Sequence, residues 1–352
     1  RLESRIGTGA ATNPIWDLEN AKSLLLVAGN PTEEQNVLAV PVKKALREGA
    51  KLVVIDSRET ELTRYATEWL RPKPGSEALL IAGISRVILD ESLEDKEFVG
   101  SRLNQAEELK HSLWTFDIAK VSRDTGIEDS QIRRAARIFA KNEAGAILVG
   151  NDGLNDAAAE HVADAVVDLA AITGNLGKES VGIFPLFHGA NTIGARDMGA
   201  TPSENGLSIS GMISGMSSGT VKAAIVMADG VSGYSPTLQS LPAALEKLDF
   251  LVVSAALDSE ITHHADVVLP AVTYAEQNST VTNVERRVQR LRITAEPRNE
   301  EKTGWETISA IANAMGASGF DHTSASDLFA EISEKVSTYA GLTHESLQSG
   351  GI

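Results

Sequence analysis

Short apolar runs alternate with amphipathic stretches along most of the chain. Ser23–Ala28 and Lys51–Ile55 are largely apolar runs that end in polar turns, and residues 37–48 between them carry apolar side chains at helical spacing. An apolar run bounded by turn residues is typical of a strand that is buried on both faces of a parallel sheet. The pattern therefore predicts a strand–helix–strand unit with a right-handed crossover.

The same alternation continues to about residue 320. Further strands are predicted at Trp69–Arg71, Ala146–Val149, Ala223–Met227, Phe250–Ser254 and Asp266–Leu269. Amphipathic helices are predicted between them, and strands that alternate with helices favour parallel sheets. We therefore expect an α/β fold of two adjoining doubly wound, mostly parallel sheets. The first domain would span residues 1–186 and the second residues 187–320. Residues 321–352 would be a helical tail that leads to a C-terminal domain outside this chain.

The segment Thr173–Gly199 is dense in glycine and is predicted to be a loop, without a helix or a strand. Glycine lets the backbone turn through positive φ and approach a ligand closely. Its two turns bracket the apolar run Val181–Phe187, which favours a loop at the edge of a cofactor over a flexible linker. An ordinary glycine-rich connection between domains is the alternative.

The composition excludes several classes of function. The net charge is −16, from 48 acidic and 32 basic residues, which disfavours nucleic acids and anionic membranes as partners. No apolar stretch is long enough to span a membrane, and the first residues lack the apolar centre of a signal peptide. The chain contains no cysteine, so these residues cannot ligate an iron–sulfur cluster. We expect a cytoplasmic protein, with membrane association through partner subunits as the alternative.

Three predicted strands end in turns of small and polar residues. These turns contain Asn30 and Pro31, Asp56 and Arg58, and Gly150. Ligands of open α/β sheets bind at the carboxyl ends of strands, where Asp56 can accept from a ribose or a guanine and Arg58 can hold a phosphate. Capping of the following helices is the alternative role of the Asn and Asp side chains. No G-x-G-x-x-G follows the first strand, so ordinary NAD binding is not predicted.

An ordered set of motifs then makes the prediction specific. It comprises LLLVAGNPTEE, GAKLVVIDSR, LVGNDG, LAAITGNLGKESVGIFPL, HGANTIGARDMGA, ADVVLPAVTYAEQ and NVERRVQR. The chain resembles the molybdopterin oxidoreductase superfamily, in particular the formate dehydrogenase large subunit and the large iron–sulfur subunit of NADH:quinone oxidoreductase. The resemblance implies the two central domains of such a subunit, which hold molybdopterin guanine dinucleotides between them.

The resemblance also assigns residues to the cofactor. The first guanosine end would lie near Asn30, Pro31, Asp56 and Arg58, and the loop with Gly174, Asn175 and Gly177 would border the second dinucleotide. Gly150, His188 and Asn191 complete the predicted cofactor-binding set. No catalytic residue and no metal ligand is assigned, because a hydrogen-bonded loop histidine is the favoured role of His188.

Three departures from the family pattern favour the NADH:quinone oxidoreductase subunit over the formate dehydrogenase subunit. Catalytic formate dehydrogenases have an arginine where this chain has Phe187, and a phenyl ring cannot pair with a carboxylate. Ser203–Thr220 is a short bridge instead of a long insertion, and the turn Ala228–Gly230 lacks the usual acidic-proline ending. We therefore expect an electron-transfer subunit of an NADH:quinone oxidoreductase-like complex. A catalytic formate dehydrogenase subunit is the alternative, and an unrelated nucleotide-binding module is a third hypothesis.

The expected partners follow from the same resemblance. They are the other subunits of a respiratory or formate-oxidising complex and an N-terminal [4Fe-4S] domain outside this chain. We expect no cofactor and no redox activity in these residues alone. The basic cluster Asn283–Arg292 is either a solvated strand or turn, or a docking surface for the iron–sulfur domain. His263 and His264 are adjacent and point in different directions, which disfavours joint metal ligation.

Overall fold

The chain forms two compact units. The computed structural model describes residues 1–141, 144–202, 206–227 and 236–352, without the side chains of Pro236, Thr237 and Ser349. The first unit contains Arg1–Ala190 and Val284–Arg286, and the second contains Asn191–Asn283 and Arg287–Ile352. The division after Ala190 lies four residues beyond the predicted one, and residues 321–352 belong to the second unit.

The first unit is built on one parallel sheet. Its strands are β1 (Ser23–Val27), β2 (Lys51–Ile55), β3 (Glu68–Leu70), β4 (Gly145–Val149) and β5 (Gly182–Pro185). They pair in the order β3-β2-β1-β4-β5, and Val27 lies opposite both Ile55 and Val149. The carboxyl ends of β1, β2 and β4 are therefore aligned along one edge of the sheet.

β5 corrects the prediction that the glycine-rich segment has no regular structure. Gly182–Pro185 pairs in parallel with β4 and is buried throughout. A strand that is buried on both faces has no apolar–polar alternation, so periodicity could not distinguish it from a loop.

Helices cover both faces of this sheet. They are α1 (Leu2–Ile6), α2 (Pro31–Glu34), α3 (Asn36–Arg47), α4 (Glu77–Asp90), α5 (Lys96–Arg102), α6 (Ala106–Trp114), α7 (Ile118–Thr125), α8 (Asp129–Ala140) and α9 (Asp156–Ile172). Leu25 and Val27 of β1 pack in a core with α4, α8 and α9. Leu24 and Leu26 point to the other face and pack in a second core with α3. Alternate side chains of one strand thus enter two cores, as a doubly wound sheet requires.

The second unit contains a smaller parallel sheet and a hairpin. The sheet has β6 (Ala223–Met227), β7 (Phe250–Ala255) and β8 (Val267–Pro270) in that order, and the antiparallel hairpin has β9 (Ser279–Thr282) and β10 (Val288–Leu291). The helices are α10 (Thr192–Asp197), α11 (Ile209–Ser218), α12 (Leu241–Leu245), α13 (Glu260–His263), α14 (Gly304–Ala314) and α15 (Ala325–Lys335). The α/β class with parallel sheets is confirmed.

The core of the second sheet lies on one of its faces. Leu251 and Val253 of β7 pack there with Ile213 and Met216 of α11. Ile225 of β6 projects from the opposite face and is 57% exposed. Among the residues described for this unit, the complete two-sided cover of the first sheet is therefore not repeated.

The arginine cluster holds the end of the chain against the hairpin. Arg287 Nη1 donates to Gly351 O at 3.2 Å, and Arg292 Nη2 donates to Gln348 O at 3.3 Å. Arg290 Nη1 donates to His344 O at 3.5 Å. The cluster spans the turn and strand β10 of the hairpin, which agrees with the predicted strand or turn, and docking of the iron–sulfur domain stays a prediction.

Among the residues described, no helix combines the length and the apolar character needed to cross a membrane.

Candidate functional site

The candidate site lies at the carboxyl edge of the first sheet. The strand order reverses between β1 and β4, which are neighbours in the sheet but far apart in sequence. Such a reversal opens a crevice outside the strand ends, where α/β proteins bind ligands. The loops after β1, β2, β4 and β5 contribute Asn30, Asp56, Gly150 and His188, so the fold brings these four predicted residues to one edge.

The backbones of β1 and β4 approach each other closely at the crevice. A Cβ atom on Gly150 would lie 2.2 Å from Ala28 O and 3.1 Å from Gly29 Cα. No side chain fits at such distances, so packing alone requires glycine at this position. Gly150 was predicted to bind a cofactor, and the structure gives it this packing role.

An ion-paired cluster crosses the edge from β2 to β4. Arg58 Nη2 donates to Asp152 Oδ2 at 2.8 Å, and the Arg58 backbone N–H donates to Asp56 Oδ1 at 2.8 Å. Both carboxylates have side chains that are only 4% exposed, whereas Arg58 is half exposed. Burial alone would lower the pKa of Arg58, but the hydrogen bonds that Arg58 donates to Asp152 and Asp56, together with their negative charges, outweigh it, and the pKa of Arg58 is raised. Arg58 is therefore a permanent cation between two buried anions.

His188 lies between two carboxylates from different loops. Its Nδ1 is 2.9 Å from Glu34 Oε2, and its Nε2 is 3.2 Å from Asp152 Oδ1. Sequence analysis proposed a hydrogen-bonded histidine here but missed both partners. Glu34 in α2 and Asp152 after β4 have no signal of their own in the sequence, because their proximity depends on the order of the strands.

Phe187 lies beside this cluster and is half-buried. Its carbonyl accepts a hydrogen bond from Gln35 Nε2 at 3.0 Å. The Oε1 atom of Gln35 is buried and has no hydrogen-bond partner. The loop after β5 is thus held by its backbone to the start of α3.

Asn30 and Pro31 begin the short helix α2 at the end of β1. Both residues are buried, and Asn30 Oδ1 accepts from Thr32 Oγ1 at 2.8 Å. The Asn30 carbonyl accepts from the backbone N–H groups of Glu33 and Glu34. Asn30 therefore organises the turn that presents Glu34 to His188.

Glu77 is a residue of this edge that sequence analysis missed. It is the first residue of α4 and is 4% exposed, and its Oε2 atom is buried without a hydrogen-bond partner. Burial raises the pKa of Glu77, and the negative charge of Asp56 raises it further. The sequence did contain a signal for Glu77, because this residue follows the turn Pro72–Gly75 at the end of a predicted strand.

The loop with Gly174, Asn175 and Gly177 lies at the opposite edge of the sheet. Asn175 is buried, and its Oδ1 accepts from the backbone N–H of Gly145, the first residue of β4, at 3.1 Å. A Cβ atom on Gly174, whose φ is +65°, would lie 2.3 Å from Asp95 Oδ2. The structure therefore does not bring this loop to Asp56, Arg58 and His188, because the length of β4 separates them.

A groove of about 520 Å³ opens beside that loop. Its lining includes Asp95, Phe98, Arg102, Gly177 and Lys178, and Lys178 Nζ lies 3.0 Å from Asp95 Oδ2. The wall of the groove therefore carries an ion pair of opposite charges and not charges of a single sign.

The other predicted residues lie in the second unit or outside the described residues. Asn191 precedes α10, and its Oδ1 accepts from the backbone N–H of Thr282 in β9 at 2.8 Å. His263 is exposed and contacts Asp258 through Nε2 at 3.1 Å. The turn Ala228–Gly230 and the first three residues of the bridge from Ser203 are not among the described residues.

The chain is similar to a known protein family and to several of its members. The sequence model of the molybdopterin oxidoreductase family matches residues 3–314. The F420-dependent formate dehydrogenase subunit alpha of Methanocaldococcus jannaschii is 32% identical over 100% of this chain and 56% of its own length. The assimilatory nitrate reductase catalytic subunit of Bacillus subtilis is 30% identical over 97% of this chain and 53% of its own length.

A solved structure supports the same fold. Acetylene hydratase from Pelobacter acetylenicus matches with a TM-score of 0.75 at 22% identity, over 99% of this chain and 54% of that one. The chain thus spans about half the length of the proteins it matches.

Proposed function

The chain belongs to the molybdopterin oxidoreductase family, and on this premise we propose that it is the central α/β part of a formate dehydrogenase alpha subunit. The observation that carries the proposal is the match to such a subunit along the whole chain at 32% identity. This match favours the formate dehydrogenase hypothesis over the expected NADH:quinone oxidoreductase subunit, which the comparisons do not support.

The carboxyl edge of the first sheet fits the guanine end of a molybdopterin guanine dinucleotide. Guanine presents two adjacent N–H donors, and buried carboxylates are acceptors for such donors. Asp56 is buried there, and the unpartnered Oε2 atom of the neighbouring Glu77 supplies acceptor capacity that the protein itself does not use. A buried acceptor without a partner costs about 1–3 kcal/mol, which a bound base would recover.

Arg58 and Asn30 would act on the rest of the nucleotide. Arg58 already pairs with Asp56 and Asp152, so a diphosphate would have to replace one of these carboxylates as its partner. The bound cofactor would supply the redox chemistry of its metal and pterin. The chain would bind and orient it, and Asn30 would hold the turn beside it.

The remaining predicted contacts stay part of this proposal. Gly174, Asn175 and Gly177 would border a second dinucleotide at the other edge, and Asn191 would be a further contact of the cofactor. A [4Fe-4S] domain and further subunits would be the partners. The naming of the Methanocaldococcus relative as a subunit alpha supports the expectation of partner subunits.

One observation favours a second candidate function, an electron-transfer subunit without substrate chemistry. The resemblance drawn from the sequence motifs assigns Phe187 to the position where catalytic formate dehydrogenases have an arginine, and a phenyl ring cannot pair with formate. In that case the family fold would be retained as a scaffold.

The experiment uses the full-length protein that contains this chain. We expect stoichiometric molybdenum or tungsten by mass spectrometry, guanine nucleotide after acid release, and formate-dependent reduction of a viologen dye. If the protein contains the metal and the nucleotide but reduces nitrate and does not oxidise formate, the proposal that formate is its substrate is wrong. If the protein contains iron but no molybdenum, tungsten or guanine nucleotide, the proposal of a catalytic subunit is wrong and the electron-transfer subunit without substrate chemistry is favoured.

A further inference from the structure

Three side chains with metal-binding atoms meet at the carboxyl edge of the first sheet, and each follows a different strand. Glu34 comes after β1, Asp152 after β4 and His188 after β5. One ligand atom from each residue lies within 4.8 Å of the ligand atoms of the other two. Residues so far apart in sequence meet here because the three strands are neighbours in the sheet.

The ion pairs at this edge carry a net negative charge, which favours the binding of a cation. Arg58 pairs with the carboxylates of Asp56 and Asp152, and the carboxylate of Glu34 contacts His188. Within these ion pairs of the described residues, three carboxylates stand against one guanidinium, which leaves two negative charges when the imidazole of His188 is neutral. Asp56 and Asp152 have almost no contact with water, and buried charge is costly unless it is compensated. A divalent cation would compensate both charges.

The pairing of Asp152 prepares it as a ligand. Arg58 occupies Oδ2 of Asp152 at 2.8 Å, while Oδ1 points to His188 Nε2 at 3.2 Å. Hydrogen bonds to one oxygen of a carboxylate commonly orient the other toward a metal. The Asn30 turn holds Glu34 on the other side of the imidazole.

We propose that Glu34, Asp152 and His188 form a binding site for a divalent transition-metal ion of the Zn²⁺ type. One imidazole nitrogen and two carboxylate oxygens are zinc ligands, and three protein ligands leave a fourth position for water or a second molecule. The imidazole disfavours Mg²⁺ and Ca²⁺, which prefer oxygen ligands. A small rotation of the ring would direct one nitrogen to the ion. This site goes beyond the proposed function and does not depend on it.

The test is a calorimetric titration of the untagged chain with Zn²⁺ alone, after treatment with EDTA, at about pH 7.5. We expect one equivalent to bind. Glu34→Gln, Asp152→Asn and His188→Ala should each weaken the affinity at least about tenfold. Glu33→Gln and Asp156→Asn change the charge in the same way at exposed neighbouring positions and should bind like the wild type.

Circular dichroism of every variant checks that the fold is retained. The proposal is overturned if the wild type binds no Zn²⁺ at about 100 µM. It is also overturned if the three cluster variants bind as tightly as their controls. His188 would then serve only to bridge Glu34 and Asp152 by its two ring nitrogens. Neither result bears on the presence of molybdenum or guanine, so the proposed function is tested separately.

Discussion

Arg58 Nη2 lies 2.8 Å from Asp152 Oδ2, although the two residues are 94 positions apart in sequence. Arg58 follows β2 and Asp152 follows β4, and β1 lies between these strands in the sheet. The ion pair therefore spans the crevice at the point where the strand order reverses.

Replacement of Arg58 should destabilise the first unit. Arg58→Gln would leave the buried carboxylates of Asp56 and Asp152 without their cation, and an unsatisfied buried acceptor costs about 1–3 kcal/mol. Urea unfolding measures the loss. Arg64→Gln removes an exposed arginine whose nearest carboxylate oxygen, on Glu59, is 3.9 Å away, and it should change little. Equal midpoints for both variants would show that the Arg58 pairs contribute no stability.

A methyl group at Gly150 should not be tolerated. In Gly150→Ala the new Cβ would lie 2.2 Å from the carbonyl oxygen of Ala28, so β1 and β4 would have to separate at their ends. Overpacking of this kind costs about 1–3 kcal/mol or more. Gly100→Ala is the control, because Gly100 lies in α5 with nothing within 4 Å of the new methyl group, and helix propensity favours alanine. Thermal unfolding should show a lower midpoint for the first variant alone.

Stability should fall in acid because of His344. Its pKa is lowered, first by burial and then by the positive charge of Arg290. The unfolded chain therefore binds a proton near pH 6.5 while the folded chain does not, so stability is complete above that pH and decreases as the pH falls below it. Unfolding free energies measured between about pH 5 and pH 8 should show this slope.

The variant His344→Phe isolates that contribution. The ring of His344 lies 6.2 Å from that of Phe329, so an aromatic residue keeps the packing and removes the titrating group. We expect the pH dependence of stability to become weaker in this variant. An unchanged slope would assign the acid sensitivity to other groups.

Phe187→Arg should be tolerated. Phe187 is half-buried, so a guanidinium at this position can reach water. The carboxylates of Glu34 and Asp152 lie close to the neighbouring His188. We expect a change in unfolding free energy of less than about 1 kcal/mol.

Phe184→Arg is the matched control for that substitution. Phe184 is fully buried in β5, so a guanidinium there would be unpaired in the core and should prevent stable folding. Thermal unfolding distinguishes the two variants. A large loss in Phe187→Arg would show that the loop after β5 is packed more tightly than its exposure indicates.

Most strands of both sheets could be predicted from the apolar runs. Lys51–Ile55 and Ala223–Met227 have the predicted bounds, and β1 and β4 differ from the prediction by one residue. β5 was missed because burial on both faces removes alternation. β10 lies in Asn283–Arg292, for which a strand or turn was one of the two interpretations, and β9 was missed because its residues are mostly polar.

The sequence by itself determined the family, the α/β class and the residues at the strand ends, because apolar runs, turn residues and local motifs depend on neighbours in the chain. Only the tertiary structure decided which of these residues meet. It paired Arg58 with Asp152, placed His188 between Glu34 and Asp152, buried Glu77 near Asp56, and left Asn175 at the far edge. The physical reason is that the order and register of the strands set these distances, and both arise from packing between segments remote in sequence.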